Sequence, residues 1–311
     1  MKLRIYFIYI LVLILICMSG CVKSQGKNDN NKIIIAVSIV PQETFVRSVA
    51  GDLVDIVTMI PPGLSPANYQ PDPKQMTELS DARLYFSIGV PTEKANILPK
   101  IKDFNKEIKI IHLDDIVGNV YPHREFEEHE DEKHEDEDHD DEENEGHSHE
   151  GKDPHIWLSP KRVKIMIETI RDELIKLDPS NKEFYTKNAS DYIEKLNELD
   201  MRIKNSLKNI KNKTFIIYHP SYGYFADDYG MNMMAIEEDG KEVTSKRLKE
   251  IIDYAKKEGI KFVFYQEEFD SNQAETIAKE AGGTTIKAKP LSAEYIESMI
   301  EITEKFKEIL E

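Results

Sequence analysis

Residues 32–62, KIIIAVSIVPQETFVRSVAGDLVDIVTMIPP, decide the fold. The run KIIIAVS at 32–38 is short, β-branched and without polar alternation, which marks a strand buried on both faces of a parallel sheet. Helical spacing follows at once through Phe45, Val46, Val49 and Ala50, and Gly51 ends it. A second apolar run at 54–60 stops at Pro61-Pro62-Gly63. Strand, helix, strand in this order is the signature of an α/β domain.

Working outward, the pattern predicts a helix over 73–81 and strands over 83–88 and 108–113. Ser159-Pro160 then opens a helix, with serine as cap and proline at its first position, and this helix runs to about Leu177-Asp178-Pro179. Another begins near Asn181 and carries Tyr185, Ala189, Tyr192, Leu196, Leu199, Ile203 and Leu207 at spacings of three and four. About 27 residues of helix extend roughly 40 Å, longer than one domain needs, so this helix is expected to be a spine between two halves. The second half replays the first, with strands over 214–218, 232–236, 262–266 and 284–287. Its helices are expected over 222–229, 245–258, 272–281 and from 293 onward. The expected fold is therefore α/β, two lobes with central, mostly parallel sheets joined by a long rigid helix, with a ligand cleft between the lobes. The expected organisation is an export signal at 1–21, a tether at 22–31, an N-terminal lobe at 32–180, the spine at 181–210 and a C-terminal lobe at 211–311.

The chain begins with Lys2 and Arg4, an apolar run over 5–16 and small residues before Cys21. That run is too short to span a bilayer, which needs about 20 apolar residues, but it suits a signal peptide. Met18-Ser19-Gly20-Cys21 is similar to the lipobox of bacterial and archaeal lipoproteins, which implies a lipid anchor on Cys21 and a place at the outer face of the cytoplasmic membrane. The only other cysteine, Cys17, lies inside the signal, so the exported chain can form no internal disulfide and must rely on a large core. The formal charge of −17 is concentrated at 125–150, where sixteen acidic residues meet one lysine, and the rest of the chain is nearly neutral. No basic patch for nucleic acid is present, and no oligomerisation signal stands out, so a monomer is expected. The acidic stretch, within an expected loop at 123–152, has too little apolar surface to fold into a core and reads as a mobile surface loop. Its His129, His134, His139, His147 and His149 stand among carboxylates, a composition suited to collecting divalent metal loosely.

Three segments place ligand-capable residues beside turn-forming prolines and glycines at strand ends: PPGLSPANYQPDP at 61–73, DPHIWLSP at 153–160 and YHPSYGYF at 218–225. Neither His155 nor His219 alone would identify a metal site, since a lone histidine is more often structural. Together with DPSNKEFY near Asp178, AETIAKEAGG at 274–283 and the His/acid loop, these phrases resemble the substrate-binding proteins of zinc- and manganese-type ABC importers, the cluster A-I family. The resemblance covers about 32–311. It implies two lobes on a rigid helix, a metal held in the cleft by side chains of both lobes, and delivery to an importer's permease and ATPase.

Carried over position by position, the family's histidines in the DPH and FH phrases fall on His155 and His219. Its first histidine falls on Ala67, which has no ligand atom, and its aspartate in a DPL phrase falls on Lys289. An ammonium cannot ligate a cation. Substitute ligands could come from Asn68, Asp72, Glu93, Glu237, Glu238, Gln266, Glu267 or water. The expected cargo is a divalent metal, zinc foremost and manganese next. The competing readings are a receptor for an anion or metal chelate with Lys289 as counter-charge, a surface adhesin or metal buffer, and a metallohydrolase with Glu267 or Glu268 as base. No His-Glu-x-x-His or nucleophile elbow accompanies the last.

Overall fold

The computed structural model describes residues 32–126, 151–237, 243–269 and 271–310. Cys21 and all five loop histidines lie outside the described residues. From Ile33 to Glu311 the chain forms one compact unit built on two four-stranded sheets, both wholly parallel.

In the first sheet β1 (Ile33–Val37) lies between β2 (Val54–Thr58) and β3 (Leu84–Ser87), with β4 (Lys109–His112) at the far edge. Ile35 pairs in register with both Ile56 and Leu84. The β-branched run is buried on both faces, as its lack of alternation requires. Ile35 and Val37 join the large central core, while Ala36 turns to the opposite cluster with Met76, Leu79, Tyr85 and Ile101. Helices α1 (Val40–Ala50) and α2 (Pro73–Ser80) follow β1 and β2. A π-helical turn (Glu93–Ile97) leads into α3 (Leu98–Phe104), and α4 (Leu113–Gly118) follows β4. These last three elements were not predicted.

Helices α5 (Pro160–Leu177) and α6 (Lys182–Leu207) pack side by side. All seven apolar positions expected of the spine are buried in α6, and they belong to a single core that also takes in β1, β3, β5 and α10. At 26 residues, α6 is about 39 Å long.

The second sheet repeats the plan of the first, in the order β6 (Asn232–Ala235), β5 (Thr214–Ile217), β7 (Phe262–Gln266), β8 (Thr284–Ala288). Its helices are α7 (Gly223–Tyr229), α8 (Ser245–Glu258), α9 (Asn272–Glu280) and α10 (Tyr295–Leu310). Thr244 caps α8 through its side chain, and Gly259 closes it with φ of 70°, a left-handed conformation that glycine adopts without a Cβ penalty.

Both sheets change direction at a central strand. β1 and β5 each have neighbours reached by opposite crossovers, and in parallel sheets the crevice for a ligand opens at the carboxyl end of such a strand. Ser38 follows β1, and Tyr218-His219 follows β5.

Candidate functional site

His155 is placed by an Asp-Pro-His turn. Asp153 Oδ1 accepts from the His155 backbone N–H at 2.9 Å and faces the ring Nδ1 at 2.7 Å, so one carboxylate sets both the backbone and the imidazole. A 3₁₀ turn (Ile156–Leu158) carries Trp157 against the His155 ring, with centroids 5.0 Å apart. Trp157 Nε1 donates to the Pro290 carbonyl at 2.8 Å, tying this turn to the C-terminal half. Burial lowers the His155 pKa, with Asp153 pulling the other way, so the ring is neutral at neutral pH.

His219 leaves the end of β5 and is held by its neighbour strand. Gln266, the last residue of β7, accepts from the His219 N–H at 3.2 Å and donates to the His219 carbonyl and to Ser221 Oγ, both at 2.8 Å. The ring stacks on Phe269 at 4.3 Å and 19°. Its Nδ1 lies 3.0 Å from Oε2 of Glu237, which follows β6.

The two rings meet between the halves of the molecule, with Nε2 to Nε2 at 3.2 Å and the planes at 73°. Each Nδ1 faces a carboxylate oxygen, which can only accept, so each Nδ1 carries a proton, and in the neutral ring Nε2 then presents a lone pair. Two acceptor nitrogens at this distance repel unless something positive lies between them. Among the described residues, Arg124 is shared between Asp153 Oδ2 at 3.7 Å and Asp227 at 3.3 Å. With Asp227 matching Arg124, the carboxylates of Asp153 and Glu237 remain as negative charge on the imidazole pair.

The other predicted cleft residues are distributed differently. Asn68 is exposed on the 61–73 segment and Ala67 is half-buried. That segment is fastened by the Thr92 N–H to the Pro66 carbonyl at 3.0 Å and by Asn96 Nδ2 to the Tyr69 carbonyl at 2.9 Å. Glu93 is wholly buried at the end of β3, where it accepts from the Ile88 and Gly89 N–H groups and meets Ser38 Oγ and Tyr85 OH. Burial pushes its pKa up to about 8. Gln266 is occupied by the His219 and Ser221 hydrogen bonds. Lys289 is 46% exposed and pairs with Glu301 at 3.1 Å, and Glu267 pairs with Lys287. Glu268, beside Phe269, has a buried Oε2 with no partner among the described residues, and burial raises its pKa. Elsewhere among the described residues, His112, Asp114 and Asp115 bring ligand-type atoms within 4.8 Å of one another, but His112 and Asp115 are exposed.

Sequence reasoning did not foresee the carboxylate behind each histidine. The Asp-x-His spacing of an Asx turn was a usable signal for Asp153. Glu237 was named only as a possible ligand, and no local signal gives its place behind His219, because β6 must pair with β5 before the two become neighbours.

Two parallel α/β lobes bridged by a long helix, with His155 and His219 facing each other between them, define a two-lobed solute-binding protein. The chain belongs to the family described as the zinc-uptake complex component A, periplasmic, whose model matches residues 35–309. It is 30% identical over 282 residues to the high-affinity zinc uptake system protein ZnuA of Bacillus subtilis strain 168, covering 88% of this chain and 83% of that one. It is 34% identical over 275 residues to the zinc-binding lipoprotein AdcA of Streptococcus pneumoniae strain R6, covering 87% of this chain and 52% of that one, so it spans about half the length of that relative. A crystal structure of ZnuA superposes with a TM-score of 0.79 at 33% identity, covering 90% of this chain and 100% of that one. The Zn(II)-bound ZnuA-like domain of S. pneumoniae AdcA gives 0.68 at 28% identity, covering 90% and 99%.

Proposed function

We propose that this chain captures a divalent cation, zinc foremost and manganese next, between His155 and His219 outside the cytoplasm and delivers it to the permease and ATPase of an ABC importer. The observation that carries the site is the facing Nε2 pair at 3.2 Å with both Nδ1 atoms on carboxylates. Zn–N bonds of about 2.0–2.1 Å at a tetrahedral angle separate two nitrogens by about 3.4 Å. A metal-bound histidine typically donates its other ring N–H to a carboxylate, which fixes the tautomer and strengthens the ligand. Two carboxylates behind two neutral imidazoles match a double positive charge and oppose an anion.

Zinc is favoured by the relatives named for zinc binding and zinc uptake, and by a ZnuA deletion mutant described as zinc bound, with a TM-score of 0.76 at 31% identity. The family is one of uptake components, which sets aside the metallohydrolase reading. An anchor on Cys21 is supported by the lipobox and by the lipoprotein AdcA. Among the described residues no helix is long and apolar enough to cross a membrane. The histidines at 129–149 are read as an accessory collector, and Ala67 leaves coordination positions for water or a small co-ligand.

Titrating Zn²⁺, Mn²⁺, Ni²⁺ and Co²⁺ into the chain lacking residues 127–150 tests this reading. One cleft site tighter than about micromolar, which corresponds to −8.2 kcal/mol, is expected. If none of the four metals binds that tightly, the receptor assignment fails.

A further inference from the structure

Glu237, a candidate ligand in the sequence, stands instead behind His219. Its backbone N–H donates to the Tyr218 carbonyl at 2.9 Å, which holds it level with the end of β5. The residue is 3% exposed. Oε2 faces His219 Nδ1 at 3.0 Å, and Oε1 is buried with no partner among the described residues. Its one ionic contact among the described residues is His219, a neutral ring when only Nδ1 is protonated.

A buried carboxylate with an unsatisfied oxygen and no countercharge is costly in a folded protein. Holding His219 in place does not explain it. Gln266 grips the His219 backbone on both sides, and Phe269 stacks on the ring. A neutral amide at position 237 would accept the same Nδ1–H hydrogen bond without a buried charge. What a carboxylate adds is negative charge one imidazole away from the point where two Nε2 lone pairs converge.

We propose that Glu237 is a positioning residue for the cargo, supplying through the His219 ring the negative charge that selects a divalent cation. This inference rests on the reading that His155 and His219 hold the metal. The buried Oε1 without a partner among the described residues weighs against the empty protein, and the carboxylate meets a countercharge when a cation arrives. On the N-terminal side Asp153 does the same for His155 with Arg124 nearby, whereas among the described residues no cation pairs with Glu237.

The test is Glu237→Gln, which retains shape and a hydrogen-bond acceptor and removes only the charge. Two quantities are read on the purified chain: the melting temperature without metal, and the Zn²⁺ dissociation constant by calorimetry. Opposite changes are expected. The metal-free variant melts higher than wild type, by about a few degrees, while Zn²⁺ affinity falls about 10–100-fold, as for loss of a partner behind a metal-bound histidine. A purely structural Glu237 gives the reverse in the first measurement. The inference is overturned by a metal-free melting temperature that falls, failure to fold included, or by a Zn²⁺ affinity within about threefold of wild type. If wild-type protein itself binds no Zn²⁺, the receptor reading fails and takes this inference with it, an outcome distinct from a wild type that binds and a variant that binds equally.

Discussion

His155 and His219 are 64 positions apart in the chain, yet their Nε2 atoms face each other at 3.2 Å. Because each ring is held through Nδ1 and by an aromatic neighbour, Trp157 tilted against His155 and Phe269 stacked on His219, neither needs to reorganise to receive a cation. Replacing either by alanine removes a ligand outright, and Zn²⁺ affinity measured by calorimetry should fall by more than the roughly 10–100-fold that an outer partner is worth. Glu93 offers a different measurement. Its folded pKa of about 8 exceeds its ordinary value near 4.5, chiefly through burial, with Asp114 adding to the shift. The folded state therefore holds more protons than the unfolded state between those values, and this group's contribution to stability falls as pH rises from about 4.5 through 8. Each pKa unit corresponds to about 1.4 kcal/mol, so the loss is on the order of a few kcal/mol. Comparing urea unfolding of wild type and Glu93→Gln across this range should show the variant gaining on wild type as pH rises, with the two changing in parallel above pH 9.

Among the elements, α6 was the most legible, because seven apolar residues repeated at spacings of three and four leave one face for a core. Leu196 is fully buried at its middle, and Leu196→Ala should cost about 2–5 kcal/mol in urea unfolding. The π-helical turn, α3 and α4 escaped prediction for a physical reason. Helices of five to seven residues cannot sustain themselves on propensity and exist here because Ile97, Ile101, Leu113 and Val117 are buried by partners elsewhere in the chain. The start of α7 is a second place where packing dictates the residue. A Cβ on Gly223 would lie 2.7 Å from Asp153 Oδ2 and 2.8 Å from Arg124 Cδ, so Gly223→Ala must displace the carboxylate that holds His155. Zn²⁺ affinity is expected to drop about 10-fold or more in calorimetry, with a smaller proportional change in stability.

Across the molecule, the two lobes are stitched by buried polar contacts around the site. Ser159 Oγ and Arg162 both bind Asp228 of α7, the Arg162 guanidinium lies 4.2 Å over the Tyr224 ring, and Tyr224 OH donates to the Asp153 carbonyl. The stem of the acidic segment is closed as well. The Phe126 N–H donates to the Gly151 carbonyl at 2.6 Å, and Glu125 and Lys152 pair through their backbones in an isolated antiparallel bridge. With its ends already joined, removing 127–150 and linking the stem by a short turn should leave the melting temperature within about 2 °C and cleft affinity for Zn²⁺ within about threefold. The same titration should lose the weak additional sites assigned to the five histidines.

Periodicity, β-branched runs and capping residues are local properties, so the chain alone was enough to establish alternating strands and helices, parallel sheets, the long bridging helix and the two histidines worth watching. The family phrases pointed to those same histidines and to Ala67 and Lys289 as departures. Tertiary structure decided the rest, because pairing partners are chosen by strand order and lobe docking rather than by neighbours in sequence. It turned Lys289 toward Glu301, committed Glu93 and Gln266 to other hydrogen bonds, and set Asp153 and Glu237 behind the two imidazoles. A carboxylate's role here depends on what stands within 3 Å of it, and that distance is created only when β6 aligns with β5 and the two lobes close on α6.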